Sequence, residues 1–291
     1  MVGAVERIVQ EIAALDKATS AIAEEFYDAY STYLTLLGQA VRQQLILASY
    51  HVCTQGYPGA FLRLSFSQRQ QLQQQLRTLA QHVQEEILAQ LHKPVLLDNA
   101  DVDRLALEPT ADSEQSSLAW SPAEPLAVAA TQTQPRSLTP TDLAHWREEL
   151  EQAIVAELRT ASHAANRLLQ HAQMLPRTLP EPVLEAATDA EMSDPRAGTP
   201  NVLNLLVETG DDSTGTDPSD ESNERSMMPI VAICLRRSEI EFADPTVAAS
   251  RSKLRSLFAQ LKALGRDYHK KQHEQSIAEA QAAWRSSWTE E

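Results

Sequence analysis

Long stretches of the chain place an apolar residue at every third or fourth position, the spacing at which side chains share one face of an α-helix. The first stretch predicts a helix over residues 3–53. Its polar residues 16–19 are also compatible with a break. A helix of this length is not stable alone, so its apolar face needs cover. That face is formed by Val5, Ile8, Ile12, Leu15, Ile22, Phe26, Ala29, Tyr33 and Leu36.

A second, shorter helix is predicted after a turn at residues 56–59. Residues 61–66 form a short apolar stretch that could be extended. Ser67 with Gln70 three residues later has the spacing of a capping box, which predicts the start of the helix. Pro94 cannot continue a helix, so the second helix ends just before it.

Residues 1–93 therefore predict an antiparallel helical hairpin. Because the second helix is about half as long as the first, it cannot cover the whole apolar face of the first. The N-terminal half of the first helix then needs another helix or a second subunit.

Two further amphipathic helices are predicted in the second half of the chain. One occupies residues 139–175 and begins at a threonine followed by a proline, a typical helix start. The other occupies residues 244–291 and begins at Asp244, a strong cap, with Pro245 in the first helical position. Together with the hairpin they predict an all-α fold, a partial bundle or coiled coil in which some apolar seam remains for a partner.

Acidic segments separate these helices. Residues 94–141 carry 7 acidic and 2 basic side chains, and their four prolines between 109 and 135 are typical of a disordered linker over 94–138. Residues 176–229 predict a second disordered linker, with an apolar island at 202–207. The island could dock on a partner or on the helices of the chain itself. Residues 230–243 favour an extended conformation.

Two short stretches of the C-terminal segment carry a resemblance. Residues 237–245 read Arg-Ser-Glu-Ile-Glu-Phe-Ala-Asp-Pro, and residues 282–288 read Ala-Ala-Trp-Arg-Ser-Ser-Trp. This segment resembles an uncharacterised family of cyanobacterial helical proteins. The resemblance implies a cyanobacterial host and a cytoplasmic compartment, and it brings no activity, cofactor or catalytic residue.

Composition agrees with a helical protein. Aromatic residues make up 5% of the 291 residues and there are 8 glycines, while Ala, Leu, Gln and Glu dominate. The two cysteines, Cys53 and Cys234, are compatible with a disulfide, although two buried thiols in a reducing compartment is the simpler interpretation. No apolar run reaches the length of a membrane span, and the first residues do not resemble a secretory signal. We therefore expect a cytoplasmic protein whose contact with membranes, if any, is peripheral.

Candidate catalytic and metal-binding residues are few. The glycines form no phosphate-binding motif. His269 and His273 are four residues apart and could face one metal ion, but two lysines between them oppose a cation. Cys53 lacks an oriented base, since His51 points to another face of the helix. The sequence therefore predicts a protein that is not an enzyme and that carries no cofactor or metal.

Contact surfaces are the better candidates for function. Residues 251–291 carry 8 basic and 5 acidic side chains although the whole chain has a net charge of −15. The sequence predicts a scaffold or adaptor that binds a protein partner or itself through helices, tuned by phosphorylation of its Ser- and Thr-rich linkers. The alternative is binding of nucleic acid or an anionic membrane surface through the basic helix. The candidate partner-binding residues are Val202, Leu203, Leu205, Leu206, Arg251, Arg255, Lys262, Arg266, Trp284 and Trp288.

Overall fold

The computed structural model describes residues 2–94, 137–175, 199–209 and 226–288. The prediction of an all-α protein is confirmed, with one two-stranded sheet in addition to the helices. Most of the two predicted disordered linkers, residues 95–136, 176–198 and 210–225, lies outside the described residues. Within the second linker the prediction is wrong for residues 202–209 and 226–229, which belong to strands. The elements in chain order are helix α1 (Val2–His51), a π-helical turn (Val52–Gly56), helices α2 (Pro58–Arg63), α3 (Phe66–Ala89) and α4 (Pro140–His171), strands β1 (Val202–Thr209) and β2 (Ser226–Ile233), and helices α5 (Arg237–Ala243) and α6 (Pro245–Trp288).

Helix α1 is continuous over 50 residues and has no break at residues 16–19. The hydroxyl of Thr19 donates to the carbonyl of Leu15 at 2.9 Å, and the hydroxyl of Ser20 donates to the carbonyl of Asp16 at 3.1 Å. These bonds within the helix satisfy both hydroxyls, so the polar residues remain in its interior. The helix passes into the π-helical turn, where the Tyr57 N–H donates to the carbonyl of Val52 at 2.9 Å.

The connection between α1 and α3 differs from the prediction. Helix α2 occupies Pro58–Arg63, where the sequence suggested a turn and an extended stretch, and a proline at its start favours the helical conformation. The capping residue of α3 is Ser65 rather than Ser67. Ser65 and Gln68 exchange both capping-box hydrogen bonds, at 3.3 and 2.8 Å. The Ser65–Gln68 pair has the same three-residue spacing as Ser67–Gln70, so the pattern alone could not separate them.

Helix α4 begins where the sequence predicts. The Thr139 N–H donates to Asp142 Oδ2 at 2.9 Å, and the Asp142 N–H donates to Thr139 Oγ1 at 3.2 Å. The helix ends at His171, four residues before the predicted end, because Gln173 adopts a left-handed backbone conformation with φ of 58°.

Strands β1 and β2 form an antiparallel pair in which Leu203 lies opposite Ala232 and Leu205 opposite Ile230. The apolar island therefore pairs with the run that favours an extended conformation. Beyond Ile233 the predicted extended segment is wrong, because residues 237–243 form helix α5. In a strand Ile240 and Phe242 would share one face, whereas the helix buries Ile240 and leaves Phe242 exposed.

The described chain divides into two compact units. Unit 2 comprises residues 26–92 and 148–256, and unit 1 comprises residues 1–25, 93–147 and 257–291. The core of unit 2 includes the fully buried side chains of Phe26, Tyr30, Tyr33, Leu34, Leu37, Leu45, Ile87, Leu150, Ile154, Leu169 and Leu203.

Unit 1 contains the start of α1, the start of α4 and most of α6. Lys271 on α6 bonds Glu11 on α1, with 2.7 Å between Nζ and Oε2. The guanidinium of Arg147 lies 3.9 Å from the centre of the Phe258 ring. Helix α6 therefore contacts the N-terminal half of α1, whose predicted apolar residues Ile8, Ile12 and Leu15 are half-buried, and a second subunit as further cover stays a prediction.

Candidate functional site

A group of two arginines, two glutamates and two tyrosines lies within unit 2, where the tyrosines and one glutamate are buried and the other three side chains are half-buried. Two side chains of opposite charge normally stay at the surface, because removing charge from water is costly. The group is therefore the most unusual chemical feature of the described chain, and we call it the arginine–glutamate cluster. Its members are Tyr30 and Tyr33 of α1, Glu151 of α4, Arg237 and Glu241 of α5, and Arg251 of α6.

Glu151 is the centre of the arginine–glutamate cluster. Its Oε1 accepts a hydrogen bond of 2.6 Å from the hydroxyl of Tyr30. Arg251 donates to both carboxylate oxygens, with 3.0 Å between Nη2 and Oε2, and Arg237 donates to Oε2. Burial alone would raise the pKa of Glu151, but the hydrogen bonds from Arg251 and Tyr30 and the charges of both arginines lower it. The carboxylate is therefore ionised and fully engaged.

Glu241 is the second carboxylate of the cluster. The hydroxyl of Tyr33 donates to its Oε1 at 2.6 Å, and the Nε atoms of Arg251 and Arg237 lie 3.5 and 3.7 Å from the same oxygen. Burial and the hydrogen bond to Glu241 raise the pKa of Tyr33, so its hydroxyl stays protonated and acts as a donor.

The arginine–glutamate cluster has balanced charge, because two guanidinium groups face two carboxylates. Each carboxylate already accepts bonds from the cluster, so neither is placed as a free general base. The arrangement instead connects α1, α4, α5 and α6 within unit 2. Such buried pairs fix the geometry of the elements that carry them, since breaking one leaves a buried charge without compensation.

The sequence did not reveal the cluster. Glu151 bonds to residues 86 and 100 positions further along the chain, and no local spacing indicates such pairs. One signal was present: Glu151 directly follows Leu150 and lies three residues before Ile154, so it borders the apolar face of α4. A charged residue beside a buried stripe suggests a partner of opposite charge.

Side chains of unit 2 close the outer edge of β2. The side-chain amide of Asn166 donates to the carbonyl of Ile233 and accepts from its N–H, both at 2.9 Å. The Val231 N–H donates to the hydroxyl of Tyr57 at 2.9 Å. Val231 and Ile233 are two residues apart, so both N–H groups point away from β1. At Val231 and Ile233, the edge that an additional strand would need is therefore occupied.

Asn201 connects the start of β1 to the segment between β2 and α5. Its carbonyl accepts from the Cys234 N–H at 3.0 Å, and its Oδ1 accepts from the Arg236 N–H at 3.0 Å. Its own N–H donates to Glu239. Asn201 has a φ of 60°, a left-handed conformation that asparagine adopts more readily than most residues.

The candidate catalytic and metal-binding residues of the sequence analysis are not members of the arginine–glutamate cluster. Cys53 and Cys234 are both buried and unoxidised. Burial raises the pKa of Cys53 to about 11, which keeps it a thiol at neutral pH and makes it a poor nucleophile. His269 and His273 are exposed on α6. Within the described ranges, no three side chains from His, Cys, Asp or Glu are grouped so that they could hold a metal ion.

The predicted partner-binding residues of the apolar island lie in β1. Val202 and Leu203 are buried in the chain, so their side chains are not an exposed docking surface. The backbones of Leu205 and Leu206 lie opposite Ile230 and Pro229 in the sheet. The sequence left two interpretations of the apolar island, docking on a partner or packing on the chain itself. Val202 and Leu203 pack within the chain.

The predicted residues of α6 have two different environments. Arg251 belongs to the arginine–glutamate cluster. Arg255, Lys262 and Arg266 are exposed, and the Lys262 ammonium lies 4.6 Å from the centre of the Phe258 ring. Trp284 and Trp288 stack on each other with 5.6 Å between ring centroids, yet they remain 66% and 74% exposed.

A surface that the sequence analysis missed lies near the end of α1. Ile46, Leu47 and Tyr50 are 40%, 45% and 59% exposed, and their spacing puts them on adjoining positions of the helix surface. The opposite side of the same helix is buried through Leu45 and Ala48. We call the three exposed side chains the α1 patch. The sequence analysis did not separate these three residues, because the apolar residues of the buried side of α1 alternate with them in the same stretch.

Comparison with known proteins finds no relative of the chain. No protein family, curated protein or solved structure matches it. The resemblance of the C-terminal segment to a cyanobacterial family therefore stays a prediction. None of the helices within the described residues combines the length and the apolar composition needed to cross a bilayer.

Proposed function

We propose that the protein is a non-catalytic cytoplasmic scaffold or adaptor that binds a helix of a protein partner, or of a second copy, through its own helices. The α1 patch is the observation that carries the proposal. It presents two aliphatic side chains and one aromatic side chain on a helix whose other side is fixed in a core. Helices that bind other helices use apolar anchors three or four positions apart in this way.

The neighbouring core makes the α1 patch a rigid surface. Leu45 and Ala48 are buried on the opposite side of α1, Val52 is buried in the π-helical turn that follows, and Gly38 brings α1 close to α3. A preformed surface loses little conformational entropy on binding, which favours affinity. Tyr50 adds a large side chain with a polar hydroxyl, a combination that is enriched where proteins contact each other.

The buried polar groups support a scaffold rather than a catalyst. The carboxylates of Glu151 and Glu241 are bonded to arginines, and the Cys53 thiol has a raised pKa. The bonds of the two carboxylates stabilise the positions of the helices that they join, which is what a scaffold requires of its interior.

The test uses the full chain and a matched pair of variants on α1. We expect the wild type to form a stoichiometric complex, either with a second copy or with a co-purifying protein, measured by size-exclusion chromatography with light scattering. The double substitution Leu47→Gln and Tyr50→Ser should abolish the complex, because it removes the apolar anchors. The control Glu24→Gln changes an exposed polar residue of α1 about six turns from the α1 patch and should leave the complex intact.

Circular dichroism of both variants checks that the helices remain folded. A monodisperse wild-type monomer with no co-purifying protein would contradict the proposal, as would a complex that survives the double substitution.

A further inference from the structure

We propose that the outward face of α6, between Lys262 and Trp288, binds the surface of an anionic lipid bilayer peripherally. This inference is independent of the proposed scaffold function, because it rests on another helix and on other side chains. Its members are the basic residues Lys262, Arg266 and Lys270 and the apolar residues Ile277, Trp284 and Trp288, and we call them the α6 face.

The apolar half of the α6 face lies opposite the buried seam of the same helix. Leu257, Leu261 and Tyr268 form that seam in unit 1. Ile277 follows Tyr268 by nine residues, which is two and a half turns at about 3.6 residues per turn, so it points to the other side. Trp284 and Trp288 follow Ile277 by seven and eleven residues and therefore share its side.

The basic half occupies the same side of the helix, one segment earlier. Lys270, Arg266 and Lys262 precede Ile277 by seven, eleven and fifteen residues, and all three are exposed. Of the acidic residues of this segment, helical geometry places Glu279 on the opposite side and Asp267 toward one edge, while Glu274 lies at the margin of the face and bonds Lys271. The α6 face therefore presents positive charge followed by apolar surface along one line.

The exposure of the tryptophans requires an explanation, because a large aromatic side chain is usually covered. The two rings lie within 24° of parallel, and their stacking leaves most of each ring in water. Lys271 bonds Glu11 at 2.7 Å and Glu274 at 2.8 Å. Lys271 points well to one side of the Ile277 direction, so the contact with α1 does not cover the α6 face.

A lipid surface satisfies both halves of the α6 face. Anionic headgroups attract lysine and arginine, and tryptophan prefers the boundary between headgroups and acyl chains. Residues 262–288 span about 40 Å along a straight helix, which suits a flat surface. A partner helix would need apolar positions along the whole contact, and the basic half of the face lacks them. Charge complementarity therefore favours an anionic bilayer.

The experiment is co-sedimentation of the full chain with vesicles. One set contains phosphatidylcholine alone and the other contains phosphatidylcholine with phosphatidylserine. We expect binding to the anionic vesicles, weak binding to the neutral vesicles, and weakening by added salt. Trp284→Ser with Trp288→Ser should lower binding at least tenfold. Arg266→Gln should weaken it about fivefold, the effect of one basic residue near a charged surface.

The matched control is Lys253→Gln, which removes one exposed positive charge that helical geometry places away from the α6 face. It should change binding less than twofold. The α1 variants Leu47→Gln and Tyr50→Ser should bind vesicles as the wild type does, which separates this inference from the proposed scaffold function.

Three results would overturn the inference: no binding to anionic vesicles, equal binding to both vesicle types, or binding that persists after both tryptophans are replaced. A homodimer or a complex with single-stranded DNA that is lost in the tryptophan variant, without vesicle binding by the wild type, would assign the α6 face to that occupant instead.

Discussion

The two compact units use charged side chains in opposite ways. In unit 2, Glu151 is buried and bonded to two arginines from later helices. In unit 1, Lys271 bonds Glu11 and Glu274 on the surface, where water screens the attraction. The comparison indicates that partly buried ion pairs add to the apolar core in fixing helix positions in unit 2, while the ion pair described for unit 1 lies at its surface and contributes less.

The largest expected effect comes from truncating the centre of the buried cluster. Glu151→Ala removes the carboxylate that Tyr30, Arg237 and Arg251 bond, and leaves Glu241 as the one carboxylate of the cluster beside the two half-buried arginines. We expect the free energy of unfolding to fall by about 3 kcal/mol, the lower end of the range for broken buried ion pairs, because Glu241 still compensates part of the charge. Urea denaturation followed by circular dichroism measures the change. The control Glu11→Ala removes the surface partner of Lys271 and should leave stability unchanged. Equal losses for the two variants would refute the contrast between the units.

A smaller effect is expected at the edge of the sheet. Asn166→Ala removes both bonds to Ile233 and leaves a buried N–H and carbonyl without partners. The expected loss is about 2–3 kcal/mol. Hydrogen exchange of the Ile233 amide should also accelerate. Thr160→Ala, an exposed substitution on the same helix, is the control and should alter neither quantity. Unchanged exchange at Ile233 in the Asn166 variant would contradict the anchoring role.

Because Glu151 is ionised in the folded protein, its contribution to the free energy of unfolding depends on pH. Its pKa is lowered in the folded protein, so the stability that it contributes is present above the unfolded value of about 4.3. That contribution is lost as the pH falls through the folded pKa. We therefore expect the stability difference between wild type and Glu151→Gln to be largest near pH 7 and to shrink at pH 3. Urea denaturation at both values measures it, and a difference that does not depend on pH would argue against an ionised Glu151.

The smallest expected effects have opposite signs at two glycines within helices. A Cβ at Gly38 in unit 2 would lie 3.1 Å from Cγ and 3.3 Å from the carbonyl oxygen of Gln84. Gly38→Ala should therefore lower the free energy of unfolding by about 1 kcal/mol. A Cβ at Gly265 in unit 1 would lie 3.8 Å from Pro140, an ordinary contact. Gly265→Ala should raise stability by about 0.5–1 kcal/mol through helix propensity. Thermal denaturation resolves both signs, and a stabilising Gly38→Ala would show that α1 and α3 are not tightly packed there.

What could be predicted from the sequence was local. The starts of α4 and α6 follow from caps and prolines within four residues, and α1 follows from its apolar period. The pairing of residues 202–207 with the later extended run was not predicted, because strand pairing depends on residues far apart in the chain. Helix α5 was missed because a short apolar run does not distinguish strand from helix.

Some of the candidate site residues could likewise be predicted from the sequence, and others could not. The exposure of Lys262, Arg266, Trp284 and Trp288 agrees with a surface role that the sequence suggested. The arginine–glutamate cluster could not be found, because its bonds join residues separated by up to 208 positions. The burial of Val202 and Leu203 depends on packing that only the assembled unit defines.

The register of the sheet has a practical consequence for protein engineering. Thr209 lies opposite Ser226, so the two ends of the segment that joins the strands are held beside each other. Closing a loop between fixed ends becomes more costly only slowly with its length, by about 0.6 kcal/mol for each doubling of a flexible chain. A fluorescent reporter or an affinity tag inserted between Gly210 and Arg225 would therefore leave the strand register intact.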